Sequence, residues 1–370
     1  MFDIHPDTTI YLLCPARIVT GGPEAVHQLA DKLADLGHDA RIVPVPAVSN
    51  PALMQYKNYR VTFADQVEDH SHNILITTEV NPHALDQYQA IQKAIWWLSV
   101  DFHQKLQKPF DFRSPKARRV THLVQSFYAR TFLRQQGVEE AFDLTDYLHP
   151  EYTRPRRATA KSDVVLYTPV KGAEAHVRRL MEADRSLRWL ALTGMIRKQH
   201  AQTLRQGKVY VDFGTHPGKD RQPREAVLNG CCVLVGLLGA ARFAEDLPLP
   251  DAYKFSLDPL EVERILGTIH GCLAEYGRRV DEFAGYAAFA REDEARFERE
   301  IRALFGVKAP IGRRPATPVV VLRNTLRFVR QNDLPTACRG LVNELTPLAL
   351  STAAKRVYRP LEARLAKGRS

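Results

Sequence analysis

The chain has 370 residues and a formal net charge of +10, with 45% hydrophobic and 25% charged residues. That composition fits a globular protein of about two domains and excludes a largely disordered or collagen-like chain. No run approaches the ~20 apolar residues that a membrane-spanning helix needs. The first residues, MFDIHPDTTIYLLCPA, carry early acids and no basic run, so they read as a first strand and not a signal peptide. The five cysteines (14, 231, 232, 272 and 338) form no CxxC pair. This argues against a disulfide framework or zinc site and for a reducing, cytoplasmic setting.

Charge is concentrated at one end. Residues 311–370 hold 12 Lys/Arg and three acids, a net +9, whereas residues 1–310 carry 40 bases against 39 acids. A nucleic-acid enzyme usually has a basic body and groove. A nearly neutral body points away from nucleic acid as a partner.

In chain order, the first strand-like runs are Thr9–Cys14, Ala40–Val45, Asn73–Thr78, Ala94–Val100 and Thr121–Gln125, short and apolar as doubly buried strands are. Helical pattern falls between them at Pro23–Leu36 and Ser126–Gln136, with Gly37 placed to end the first. Trp96 and Trp97 lie within a strand-like run and read as core. The polar, basic stretch 151–161, with Pro155, reads as a linker. A second series follows: Asp163–Thr168, Leu187–Leu192, Lys208–Phe213, Cys231–Val235 and Tyr253–Ser256. Residues 258–306 then look mainly helical. Alternation of strand and helix predicts parallel sheets. The fold expected is α/β, two tandem doubly wound (Rossmann-like) domains facing a cleft, with boundaries 1–155 and 156–310 and a basic helical tail at 311–370.

In such sheets the ligand lies beyond the carboxyl ends of the strands. After the first strand, Gly21 and Gly22 let backbone approach a ligand and Pro23 suits the first helical turn, although a plain strand–helix turn would look the same. Lys171-Gly172 follows the first strand of the second domain and can balance a diphosphate, or sit solvated at the surface. The richest segment is VDFGTHPGKDRQPREA. Its His216, Lys219, Asp220 and Arg221 precede a helix N-terminus and suggest an anion pocket, and Glu225 in the first turn can accept bonds from vicinal ribose hydroxyls. In the first domain Glu79, Asp101 and His103 follow strands and are candidate general bases. The cluster Glu68, Asp69, His70 and His72 lacks the spacing of a metal site, and no metal or cofactor is expected.

The order of a glycine-rich first loop, the Lys-Gly loop at Lys171, and Pro223-Arg224-Glu225-Ala226 with Gly230 and Val233 resembles GT-B nucleotide-sugar glycosyltransferases. TGGPEAVHQLADKL, WWLSVD, YTPVKG and DFGTHPGKDRQPREA are similar to glycosyltransferases of bacterial capsule and O-antigen (lipopolysaccharide) loci, over about residues 8–258. The resemblance implies that the second domain binds the sugar nucleotide and the first a glycan acceptor. It also implies that Lys171 contacts donor phosphates and Glu225 the donor ribose. Retaining members often carry a glutamate eight residues before the ribose-binding one, where this chain has Pro217, so the stereochemical course stays open. An epimerase on the same plan, or a basic-tailed binding protein with a degenerate body, are the competing readings. In the tail, Arg323, Arg327 and Arg330 share one stripe of a basic amphipathic helix at Val319–Arg330, suited to an anionic membrane surface. A cytoplasmic protein, peripheral at the inner membrane face and working on a lipid-linked acceptor, is the expectation.

Overall fold

The computed structural model describes residues 2–48, 51, 53–155, 159–170, 172–308 and 317–331. The first sheet contains β1 (Thr9–Pro15), β2 (Asp39–Val45), β3 (Thr62–Phe63), β4 (Ile74–Thr78), β5 (Gln92–Trp97), β6 (Val120–Val124) and β7 (Phe142–Asp143). The second contains β8 (Ser162–Tyr167), β9 (Trp189–Ala191), β10 (Gly207–Asp212), β11 (Cys232–Gly236) and β12 (Lys254–Phe255). The helices are α1 (Gly21–Asp35), α2 (Val100–Gln104), α3 (Phe127–Gln135), α4 (Pro150–Thr153), α5 (Ala173–Ala183), α6 (Arg197–Gln206), α7 (Arg221–Leu228), α8 (Val262–Ala274), α9 (Tyr276–Arg279), α10 (Ala284–Arg291), α11 (Asp293–Phe305) and α12 (Thr317–Gln331).

Strand order is β3-β2-β1-β4-β5-β6-β7 in the first sheet and β12-β11-β10-β8-β9 in the second, and every pairing is parallel. Both are doubly wound, as the alternation of elements predicts. Their order reverses beside β1 and β8, which fixes where a crevice opens. The β4 residues are buried throughout and Trp96 and Trp97 are fully enclosed, so these strands read as continuous apolar runs. Gly37 takes a left-handed φ of 85° just past α1, the conformation that lets glycine end a helix.

Three details depart from the sequence reading. The two-residue edge strands β3 and β7 carry no pattern of their own. The strand expected to reach Val100 stops at Trp97, because the Leu98 amide donates to the Glu79 carboxylate and Val100 starts α2. The linker stretch begins as helix α4, with His149 accepting from the Glu151 amide at its N-terminus.

The last helix before the tail returns to the first sheet. Phe297, Ile301, Leu304 and Phe305 of α11 belong to the core that holds Trp96 and Leu29. Phe297 stacks on Trp96 at 6.3 Å, and Lys32 of α1 donates to Glu294 and Glu298 at 2.7 and 2.5 Å. Residues that follow the second sheet thus complete the first core.

Candidate functional site

A cleft of about 570 Å³ opens between the carboxyl ends of the two sheets. Its first-sheet wall is Thr20 and Gly21 at the end of the β1 loop and Glu24 on α1. The second-sheet wall is Val170 after β8, Arg197 and His200 on α6, and Asp220, Arg221 and Glu225 at the start of α7. Tyr152 of α4 closes one end. Of the residues singled out in the sequence, Gly21, Asp220, Arg221 and Glu225 therefore meet here. At Gly21 a side chain would come within 3.3 Å of the Arg221 side chain, a tight approach at this crossing.

Glu225 is buried, and burial pushes its carboxyl up to about 7, against the pull of Arg221. Its Oε2 is 3.7 Å from Nδ1 of His200, which lies 3.0 Å from the Tyr152 hydroxyl. Burial pushes His200 down to about 4, so the ring is neutral near pH 7. Glu225 lies beside the hydrogen-bonded pair of His200 and Tyr152, and the three line one floor whose carboxylate takes its charge at neutral pH.

A buried ion network crosses the cleft behind this floor. Glu24 Oε1 accepts from Arg197 Nη2 and Oε2 from Arg221 Nη1, both at 2.8 Å, and the Tyr59 hydroxyl also donates to Oε1 at 2.8 Å. Arg221 further donates through Nε to Asp146 (2.7 Å) and through Nη2 to Gln28 (2.9 Å). Arg224 bridges Asp146 and Asp293, each at 2.7 Å. Burial alone would raise Glu24 and Asp146, yet the arginines beside them hold both carboxyls below the usual range.

This network alters the sequence reading of the cations. Lys219 was expected at the anion pocket. It is buried instead, with Nζ donating to Asp293 at 2.5 Å and to Thr145 Oγ1 at 3.3 Å, and it does not line the cleft. Arg221 is in the wall, but three of its donors serve protein acceptors. Both residues act here as struts between the sheets.

The remaining sites are placed as follows. Gly22 faces the Leu98 side chain, and Gly172 has φ 84° at the N-cap of α5. Lys171 lies outside the described residues. His216 is buried behind the loop, with Nδ1 3.2 Å from Asp220 Oδ2 and Nε2 3.4 Å from the Asp212 carbonyl. Asp212, His216 and Asp220 bring one ligand-type atom each to within 4.8 Å of one another, a donor set that suits a divalent cation where none was expected. Asp69, by contrast, accepts from the amides of Gln89, Ala90 and Ile91, and His72 pairs with Asp7.

None of the three expected bases lines the cleft. Glu79 is buried, accepts from the Leu98 amide at 2.8 Å, and is pushed up to about 8 by burial. His103 packs edge-on to Trp97, its Nδ1 3.0 Å from the Glu79 carbonyl. Asp101 is half-buried and accepts from the Tyr128 hydroxyl at 2.7 Å. What sequence reasoning missed is Glu24, Arg197, His200 and Tyr152. Glu24 had a signal, a carboxylate in the first turn after a glycine pair. The other three are brought in by packing across the linker.

No family model matches this chain, and no curated protein matches it. Solved structures do. HepE from Anabaena, in complex with UDP and glucose, superposes with a TM-score of 0.55 at 13% identity, covering 80% of this chain and 98% of that one. A glycosyltransferase from Rickettsia africae gives 0.52 at 12% identity, covering 88% and 99%. At this identity the likeness is one of architecture, and it extends over nearly the whole of both structures. The chain has the fold of the GT-B glycosyltransferases, two Rossmann-like domains facing a cleft.

Proposed function

We propose that the protein is a glycosyltransferase that moves a sugar from a nucleotide-sugar donor to a glycan acceptor. The observation that carries this is Glu225, a buried carboxylate that lines the interdomain cleft; α7 starts at Arg221, so Glu225 falls in its second turn and not in the first as the sequence suggests. Vicinal ribose hydroxyls are the donor pair that such a carboxylate receives, and the amides at the start of α7 favour an anion beside it. HepE, of the same fold, was solved with UDP and with UDP-glucose. Lys171 directly follows Val170 of the cleft wall, and we assign it to the donor diphosphate. In the reaction the anomeric C–O bond to the diphosphate breaks as the acceptor oxygen forms the new glycosidic bond. The nucleoside diphosphate leaves, and the acceptor's proton passes to a base. Glu79, Asp101 and His103 all lie outside the cleft lining, so the base role is assigned to none of the three.

The finer reading is a surface-polysaccharide acceptor of the capsule or lipopolysaccharide class, lipid-linked, with the protein in the cytoplasm and its basic tail on an anionic membrane. Thermal unfolding with millimolar UDP, GDP, CMP, ADP and dTDP tests the donor site. A ligand at ~100 times its dissociation constant adds ~2.7 kcal/mol. One nucleotide is expected to raise the midpoint, and the shift is expected to vanish in Glu225→Ala. No shift with any of the five overturns the reading.

A further inference from the structure

The helix α12 is tied to the first-domain edge by one face and leaves the other uncovered among the described residues. Asn324 donates to the carbonyls of Lys57 (2.8 Å) and Tyr59 (2.7 Å), Arg327 donates to the Val61 carbonyl (3.3 Å), and Phe328 is buried. On the outer face Leu322 is 60% and Leu326 47% exposed, Val329 is exposed, and Arg323 lies among them. Leu322, Leu326 and Val329 fall at i, i+4 and i+7, one stripe of a helix.

A second patch of the same make-up lies on the same edge. The loop after β1 presents Arg17, Ile18 and Val19, all exposed, the latter two at 47% and 46%. The two patches are joined through one residue. The Tyr56 hydroxyl donates to the carbonyls of Ile18 and Thr20, and Tyr56 lines the same small hollow as Asn324 and Arg327. The neighbour of Tyr56, Gln55, lies in the cleft wall, and its carbonyl accepts from Arg197. The basic and apolar edge thus borders the cleft mouth.

We propose that this edge docks on an anionic lipid bilayer, with α12 lying in the interface and the cleft mouth facing the headgroups. A partner for it must be both apolar and negatively charged. Nucleic acid offers no use for Leu322, Leu326, Ile18 and Val19. A second copy would bring the same positive charge, and residues 332–370, with seven Lys/Arg against three acids, carry net positive charge of their own. Anionic lipid meets both demands. No described helix is long and apolar enough to cross a membrane, so contact is lateral. The docking stands on this surface alone. That the acceptor reaches the cleft from the bilayer rests also on the transferase reading.

Co-sedimentation of the full chain with vesicles of phosphatidylcholine, and of phosphatidylcholine with phosphatidylglycerol, tests it. Binding is expected to the anionic vesicles, to fall with added salt, and to weaken at least tenfold in the Leu322→Glu, Leu326→Glu double variant. Ile18→Glu is expected to weaken it in the same direction. An unchanged thermal midpoint and nucleotide-induced shift in these variants separate loss of docking from loss of fold or of the donor site. No binding to anionic vesicles overturns the proposal. So does full binding by the double variant, which would put the attraction in the charge of the tail alone. Concentration-dependent dimerisation abolished by the same substitutions overturns it in favour of a second copy.

Discussion

Glu225 shows how one side chain ties stability to the site. An unfolded glutamate loses its proton near 4.5, whereas burial keeps the folded one protonated to about 7. Between these values the folded state binds more protons than the unfolded, so stability falls as pH rises, by at most about 3 kcal/mol, and is level above. Glutamine has no proton to release. Glu225→Gln should therefore gain stability over the wild type as pH rises from 5 to 7, read as a widening difference in urea midpoints; a constant difference would contradict it. Asp293 acts through the ion pairs it makes. It holds Lys219 and Arg224 in a buried setting, and Asp293→Ala leaves both cations short of a partner. A loss of about 3–5 kcal/mol in equilibrium unfolding is expected. The place of Glu225 at the cleft was legible from its residue type and the loop before it, although α7 starts two residues earlier than its pattern suggests. Asp293 was not, because it pairs with Lys219 and Arg224 from far along the chain and leaves no spacing to read.

Among the elements, the long buried strands were legible and the short edges were not. An apolar run such as Ile74–Thr78 reports burial on both faces in its own composition. Thr62–Phe63 and Phe142–Asp143 are strands only because a neighbour pairs with them. The run from Ala94 keeps its apolar character past Trp97, and only the carboxylate of Glu79, in the turn after β4, explains why the backbone turns there. α11 poses the same difficulty. Its 3.6-residue period predicts a buried face but not which sheet it faces. Phe297→Ala should open a cavity against Trp96 and cost about 3–5 kcal/mol, with the tryptophan fluorescence shifted to the red. Unaltered emission would mean that this face is not what covers Trp96.

In the whole molecule, the two sheets are joined by backbone as well as by charge. The Val100 amide donates to the Pro217 carbonyl at 2.7 Å, and Asp246 of the second unit caps α3 of the first through the amides of Phe127 and Tyr128. At Gly218 a Cβ would sit 2.0 Å from the Leu98 carbonyl oxygen, so this crossing admits no side chain. Gly218→Ala should force the halves apart. A tenfold or greater loss of nucleotide affinity by titration calorimetry, with both sheets retained by circular dichroism, is the expected outcome; unaltered affinity would show that the cleft tolerates a wider setting. The sequence's alternation of strand and helix made both sheets legible. Their mutual closure was not, since it is built from single residues far apart in the chain.

The return of α11 to the first sheet has a consequence for biosynthesis. A ribosome delivers residues 1–155 first, and units made first ordinarily fold first. Here the nascent first sheet must wait with the Trp96 side of its core uncapped until Phe297, Ile301, Leu304 and Phe305 emerge, after every strand of the second sheet. The chain is thus committed to fold late and nearly as one piece, and a polypeptide ending before residue 293 would expose that apolar face to every other hydrophobic surface it meets.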